Sequence, residues 1–390
     1  MSADAQLLLD LSELVRTDAR SGIQRVARGV LAALLADPPA GYRVAPVYDA
    51  GGFYAYVPDA VALKPAPQGE EEPIAVRAGD VFFGVDLAPE QVPRNLAVLA
   101  GLKAHGVRLY FAVYDLLPLQ HPEWFFAGAQ PWFERWLSSA ATVADGLLCN
   151  ARAIADELLE WLDQHPPRRH GMLQVGYAPL GADLQTARAA DDTDAAADLP
   201  AELRQRPTLL MVGTLEPRKM HSEVLQACEQ LWERGVEVNL AIVGKQGWNT
   251  ARLAERLQQH PENGRRLFWM QQASDSTLLA LYASASALLA ASGGEGFGLP
   301  LIEAAQHGLP VIARDLPVFR EVGGEHAWYF GGVTPGEIAD DIETWLALHA
   351  EGKAPASAAM SYLSWAGSAR RMLDVILGGQ WHGAAATRLP

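Results

Sequence analysis

From position 205 onward the chain alternates between short apolar or β-branched runs and segments of helical period, the pattern of a parallel sheet wrapped by helices. Strands are expected over 208–213, 236–243, 267–270, 287–291 and 309–313, and helices over 221–235, 250–259, 276–284 and 300–306. On the first of these helices Val224, Leu225, Cys228, Leu231 and Trp232 share one face, and Gly235 suits its C-terminal cap. This half therefore reads as a doubly wound α/β domain.

The first half is similar but less regular. It offers strands at 6–11, 81–84, 107–114 and 145–149 and helices at 23–35, 91–105 and 151–164. A hairpin is expected from 44–48 and 53–57, with Pro46 placing the former outside a central ladder position. Residues 187–198 hold four aspartates and six alanines and read as an exposed connector. The expected division is 1–190, a linker at 191–204, 205–365, and a C-terminal helix and tail at 366–390. A length of 390 residues agrees with two units, at roughly 100 to 200 residues each.

Composition narrows the function. With 49% hydrophobic and 20% charged residues, neither wholesale disorder nor a membrane-embedded chain fits. A net charge of −15 argues against a global electrostatic grip on nucleic acid. The two cysteines, Cys149 and Cys228, lack zinc-site spacing, and no disulfide framework is expected. The N-terminus shows no basic leader, and the most apolar stretch, 278–291, is shorter than the about 20 residues of a spanning helix. The expectation is a cytoplasmic protein, with peripheral contact at the inner face of a membrane left open.

Two loops carry the chemistry. Ser292 to Ala304 reads Ser-Gly-Gly-Glu-Gly-Phe-Gly-Leu-Pro-Leu-Ile-Glu-Ala and joins a strand to a helix. Gly296 and Gly298 let the backbone approach a ligand, Pro300 suits the first helical turn, and the helix start offers amides to an anion. Carboxylates repel phosphate, so Glu295 and Glu303 should face hydroxyl groups, as on a sugar joined to a nucleotide. A glycine-rich turn with two solvated glutamates is the plain alternative. The second loop, Val212-Gly213-Thr214-Leu215-Glu216-Pro217-Arg218-Lys219-Met220-His221, sets two cations at the carboxyl edge of the sheet, where they could neutralise a diphosphate. A third turn, Ser21-Gly22-Ile23, follows the first strand with Ser21 as N-cap.

These motifs resemble those of the retaining family 4 glycosyltransferases, which have the GT-B fold of two Rossmann-like domains facing a cleft. Glu295 and Glu303 match the family's paired-glutamate motif, and Glu216-Pro217-Arg218-Lys219 its diphosphate loop. Gly244-Lys245-Gln246-Gly247-Trp248, Pro179-Leu180-Gly181-Ala182-Asp183 and Ser364-Trp365 extend the likeness over most of the chain. The resemblance implies catalytic roles for Glu295, Lys219 and Arg218. It implies donor contacts from Glu303, Gly22, Gly213, Thr214, Gly296, Phe297, Gly298 and Leu299. Glu295 would meet hydroxyls of the transferred sugar, Glu303 the ribose, and the two cations the diphosphate.

Two departures from the family pattern stand out. Thr214 stands where many relatives carry arginine, and Tyr114-Asp115 where a His-Asp pair is common. A tyrosine face at that site would tolerate the methyl group of a 6-deoxy sugar, while its hydroxyl can still bond a hydroxymethyl oxygen, so the change widens the choice of donor without deciding it. Tyr114, Asp115 and His121 are the expected acceptor or sugar contacts. Trp124, Phe125, Phe126, Trp132, Phe133 and Trp136 form either core, a sugar platform or a contact with a lipid-linked acceptor. Arg168, Arg169 and His170 form a solvated loop or a contact for anionic headgroups.

The expected protein is thus a metal-independent retaining hexosyltransferase without a cofactor. A nucleotide-diphosphate sugar would be its donor, with mannose first and rhamnose second, and a glycan or lipid-linked saccharide its acceptor in surface polysaccharide synthesis. A sugar-nucleotide epimerase and a non-catalytic nucleotide-sugar-binding protein are the alternatives.

Overall fold

The computed structural model describes residues 4–19, 21–182 and 199–389; the expected connector 187–198 and Asp183 lie outside the described residues. The chain groups into two compact units, one from 1–120, 127–181 and 363–390, the other from 121–126 and 182–362.

The first unit is built on an eight-stranded sheet. Its strands are β1 (Ala5–Asp10), β2 (Tyr42–Asp49), β3 (Tyr54–Tyr56), β4 (Val81–Gly84), β5 (Arg108–Val113), β6 (Gly146–Cys149), β7 (Leu173–Tyr177) and a C-terminal strand, Gly383–Ala385. The order is C-terminal strand, β7, β6, β5, β4, β1, β2, β3, parallel except at the two outer strands. The expectation that Pro46 keeps 44–48 out of a central position is corrected. Strand β2 lies between β1 and β3, with Leu9 opposite Pro46. The Pro46 carbonyl accepts from Val57 N at 2.9 Å. Its imide nitrogen therefore faces the β3 side, just beyond the end of that short ladder, where no N–H is needed.

The single helix expected over 91–105 is two, Gln91–Arg94 and Leu96–Ala104, parted at Asn95, whose ψ of 18° leaves the helical range. The C-terminal helix, Trp365–Ile376, belongs to this first unit. A Cβ on Gly29, in the helix Gly22–Ala36, would lie 2.4 Å from the Trp365 ring, so the missing side chain is what lets the two helices meet.

The second unit holds a wholly parallel six-stranded sheet: β8 (Thr208–Val212), β9 (Asn239–Val243), β10 (Leu267–Met270), β11 (Ala287–Ala290), β12 (Val311–Arg314) and β13 (Trp328–Phe330). Their order is β10, β9, β8, β11, β12, β13. The expected face of helix His221–Glu233 is buried throughout, Val224, Leu225, Cys228 and Leu231 completely, against Leu209, Leu240, Ile242 and Leu289. Each such aliphatic side chain contributes about 2 kcal/mol by leaving water.

Residues 121–126, expected in the first domain, pack in the second unit. There Trp248 Nε1 donates to the Trp124 carbonyl at 2.8 Å, and Asn249 Nδ2 to that of Phe125 at 3.0 Å. Among the described residues no helix is long and apolar enough to cross a membrane.

Candidate functional site

In the second sheet the chain steps outward from β8 to β9 and β10, then returns to place β11, β12 and β13 on the other side of β8. Strands β8 and β11 are thus neighbours where the winding reverses, the point at which open parallel sheets form a ligand crevice beyond their carboxyl ends. Both loops singled out in the sequence leave from there. They are joined directly, Gly293 N donating to the Arg218 carbonyl at 2.8 Å.

The loop after β8 turns on Gly213, whose φ of +139° excludes an ordinary side chain. Gly244 packs against it so closely that a Cβ would stand 1.9 Å from the Gly213 carbonyl oxygen. Thr214 is part-buried, and its methyl group lies where a Cβ on Gly247 would fall. Pro217 then opens a short 3-10 turn, Pro217–Lys219, that presents Arg218 and Lys219 before the helix His221–Glu233.

These cations converge on Glu295. Arg218 Nη1 donates to Oε2 at 2.7 Å, Lys219 Nζ bonds to Oε1, and Ser292 Oγ donates to Oε1 at 3.2 Å. Arg218 also reaches back through Nε to Glu216 Oε2 at 2.7 Å. The Glu295 side chain is only 10% exposed. Burial alone would raise its pKa, but the Arg218 and Lys219 charges and their hydrogen bonds outweigh it and hold the group down at about 2. Glu295 thus stands against both cations, and Arg218 bridges it to Glu216.

A pocket between the ends of β8 and β11 is lined by Lys219, His221, Ser292, Glu295, Pro300 and Phe319, among others. His221 is 2% exposed, and burial, with Lys219 and Arg218 close by, pushes its pKa down to about 3. It is therefore a neutral imidazole, and its buried Nδ1 makes no hydrogen bond.

At the far end of the second loop Gly298 takes φ +96° as the N-cap of helix Leu299–Gln306, and a Cβ there would strike the Phe319 ring at 2.7 Å. No side chain caps this helix start. Gly296 and Phe297 are buried, and Leu299 is partly exposed. Glu303, on the buried face of the helix and 2% exposed, accepts a hydrogen bond from the Tyr282 hydroxyl at 2.6 Å.

Of the remaining expected contacts, Gly22, Tyr114 and Asp115 lie in the first unit and His121 in the second. Gly22 opens the helix Gly22–Ala36 in the first unit behind the expected Ser21 cap, whose Oγ accepts from Gln24 N at 3.2 Å. A Cβ on Gly22 would meet nothing within 4 Å. Tyr114 is 8% exposed, and its hydroxyl is spent inside the first unit on the Val85 carbonyl at 2.5 Å. Asp115 Oδ1 accepts from Leu117 N at 3.1 Å and so caps a short helix. His121 lies in the second unit, stacked on Trp124 at 4.0 Å with its Nδ1 3.1 Å from Glu123.

The aromatic group divides. Phe133 and Trp136 are core, Trp124, Phe125 and Trp132 are partly buried, and Phe126 is exposed. The basic cluster also divides: Arg169 is 6% exposed and donates to the carbonyls of Ala141 and Ala144, so it offers no charge to a headgroup.

Sequence reasoning passed over Glu216 as a partner of Arg218, gave His221 no role beyond ending the loop and starting the helix, and passed over Tyr282 altogether. A signal existed for Tyr282, a hydroxyl on the buried side of an otherwise apolar helical segment. Among the described residues no group of three His, Cys, Asp or Glu side chains is placed to hold a metal ion.

Comparison with known proteins places these features. Residues 198–360 match the family model described as glycosyl transferases group 1. The chain is 42% identical over 373 residues to the serotype-specific mannosyltransferase WbdA of Escherichia coli, an alignment covering 94% of this chain and 46% of that protein. It therefore spans about half the length of that relative. A shorter match, 36% identical over 120 residues and 30% of each chain, is to the O-antigen chain mannosyltransferase B of Escherichia coli. Among solved structures, sucrose-phosphate synthase from Thermosynechococcus elongatus superposes with a TM-score of 0.67 at 17% identity, covering 96% of this chain and 98% of that one. Anabaena HepE, in complex with UDP and glucose, gives 0.59 at 16% identity over 95% of both chains. At these identities the two structures speak for the fold alone.

Proposed function

We propose, from the match of residues 198–360 to the family model described as glycosyl transferases group 1 and from the GT-B fold, that the chain is a retaining hexosyltransferase that moves mannose from a nucleotide-diphosphate donor to a growing glycan. The observation that carries the reading is the meeting of Arg218, Lys219 and Glu295 where β8 and β11 end side by side. Two cations held rigidly in a largely buried site stabilise charge that develops on a departing diphosphate far better than water does. Glu295 accepts hydrogen bonds from sugar hydroxyls, and Glu303 from the ribose. No protein base is assigned: attack on the face the leaving group vacates lets a phosphate oxygen take the acceptor proton.

Mannose is favoured because the relatives matched over most of this chain are mannosyltransferases by name. A 6-deoxy donor stands second. Tyr114 does not decide between the two, since its hydroxyl is bonded within the first unit and its side chain is largely buried. The acceptor is a glycan or a lipid-linked saccharide of surface polysaccharide synthesis, and a lipid-linked acceptor would bring the protein to a membrane face.

The test is a thermal-shift panel of GDP-mannose, GDP-rhamnose, dTDP-rhamnose and UDP-glucose, followed by product analysis with and without a mannoside acceptor. A ligand selective for the folded state raises the melting temperature as its concentration exceeds its dissociation constant. Stabilisation by GDP-mannose and an α-linked product are expected; a shift with UDP-glucose alone would refute the mannose assignment.

A further inference from the structure

The helix Asp275–Ser284 carries one large polar side chain on its buried side, Tyr282, 1% exposed. Its hydroxyl donates to Glu303 Oε2 at 2.6 Å, across to the helix Leu299–Gln306. The ring itself is fixed by the His307 imidazole, with centroids 5.6 Å apart and planes within 6°. Glu303 and His307, four residues apart, project from the same side of their helix, so one supplies the acceptor and the other the surface that stops the tyrosine from swinging away. A carboxylate 2% exposed is oriented by its protein partners rather than by water, and a hydrogen bond to a charged group is worth more than a neutral one.

We infer that Tyr282 is a positioning residue for nucleotide recognition: by fixing Glu303 Oε2, it aims the carboxylate at the hydroxyls of the donor's ribose. The inference rests on the reading that Glu303 meets the ribose. Without the tyrosine hydroxyl the carboxylate would rotate or recruit water, and a two-point contact to a vicinal diol would lose its geometry. Packing alone predicts something different, a loss that does not depend on whether the nucleotide carries its hydroxyls.

The experiment compares GDP with 2′,3′-dideoxy-GDP by calorimetry on wild type, Tyr282→Phe, Glu303→Gln and the double variant. Wild type should prefer GDP by tenfold or more. Tyr282→Phe should weaken GDP about tenfold, the scale of one hydrogen bond to a charged group, while leaving the dideoxy analogue unchanged. In the Glu303→Gln background Tyr282→Phe should have no further effect on the preference. Equal weakening of both nucleotides by Tyr282→Phe, or no change in either, overturns the positioning role. Equal affinity of wild type for the two nucleotides removes the Glu303–ribose contact itself, and the inference falls with it.

Discussion

Arg218 Nη1 lies 2.7 Å from Glu295 Oε2, so a cation suited to phosphate and a carboxylate suited to sugar hydroxyls are bonded to each other. With Lys219 on the other oxygen, Glu295 occupies the charges that a diphosphate would need. A donor carrying its sugar can offer hydroxyls in exchange for those cations, whereas a bare nucleoside diphosphate cannot.

Glu295→Gln should therefore bind GDP several-fold more tightly than wild type while turning over GDP-mannose at least 10²-fold more slowly, since a neutral amide releases the cations but accepts sugar hydroxyls poorly. Calorimetry with GDP beside initial-rate measurements reads both quantities. Weaker GDP binding by the variant would mean that the ion pairs hold the site together rather than compete with the ligand.

Lys219→Ala and Arg218→Ala should each slow transfer, by about 10²-fold or more for the dominant cation, because a preorganised charge partner of the leaving group is lost. Arg218→Ala should also lower stability, since it leaves Glu216 facing Glu295 without the guanidinium that bridges them. Near-wild-type rates in both folded variants would show that this loop is not the diphosphate site.

Acid and alkali should act on different units. Asp10 at the end of β1 is fully buried, and burial, with Asp86 and Asp49 near, pushes its pKa up from 3.8 to about 7. Asp86 moves the same way, to about 6. A raised carboxyl pKa gives stability that is complete below about 4 and declines as pH rises towards 7, because the unfolded chain sheds the proton first. Glu295 has the opposite sign, its contribution fading as pH falls from 4.5 to about 2. Asp10→Asn should flatten the loss of melting temperature between about pH 4 and pH 7, at roughly 2–4 °C for each kcal/mol in a unit of this size. An unchanged slope in the variant would exclude Asp10 as its source.

Two glycines should separate function from folding. Gly244→Ala places a Cβ 1.9 Å from a backbone oxygen at φ +155°, and should cost several kcal/mol or prevent folding of the second unit. Gly22→Ala meets nothing within 4 Å at the start of a helix, so its melting temperature should stay within about a degree of wild type or rise slightly. Its transfer rate should nonetheless fall if this turn approaches the diphosphate. Unaltered kinetics in Gly22→Ala would remove Gly22 from the donor contacts.

The sequence by itself determined much of this protein. Periodicity placed all five expected strands and all four expected helices of the second half to within a few residues, because each element's apolar spacing is a local property. Gly213, Gly298 and the cations and carboxylates around them were legible for the same reason: a left-handed turn demands glycine, and residue type sets charge. Position in a sheet is not local. Nothing between residues 213 and 286 states that β11 returns to the side of β8, and only that return sets Glu295 between Arg218 and Lys219, 76 to 77 residues away, instead of leaving it open to hydroxyls. The same long-range pairing made β2 an inner strand despite Pro46 and brought Tyr282 onto Glu303. It also buried Tyr114 with its hydroxyl on Val85. Side-chain chemistry was written in the chain, while partners distant along it were chosen by which faces could be buried together.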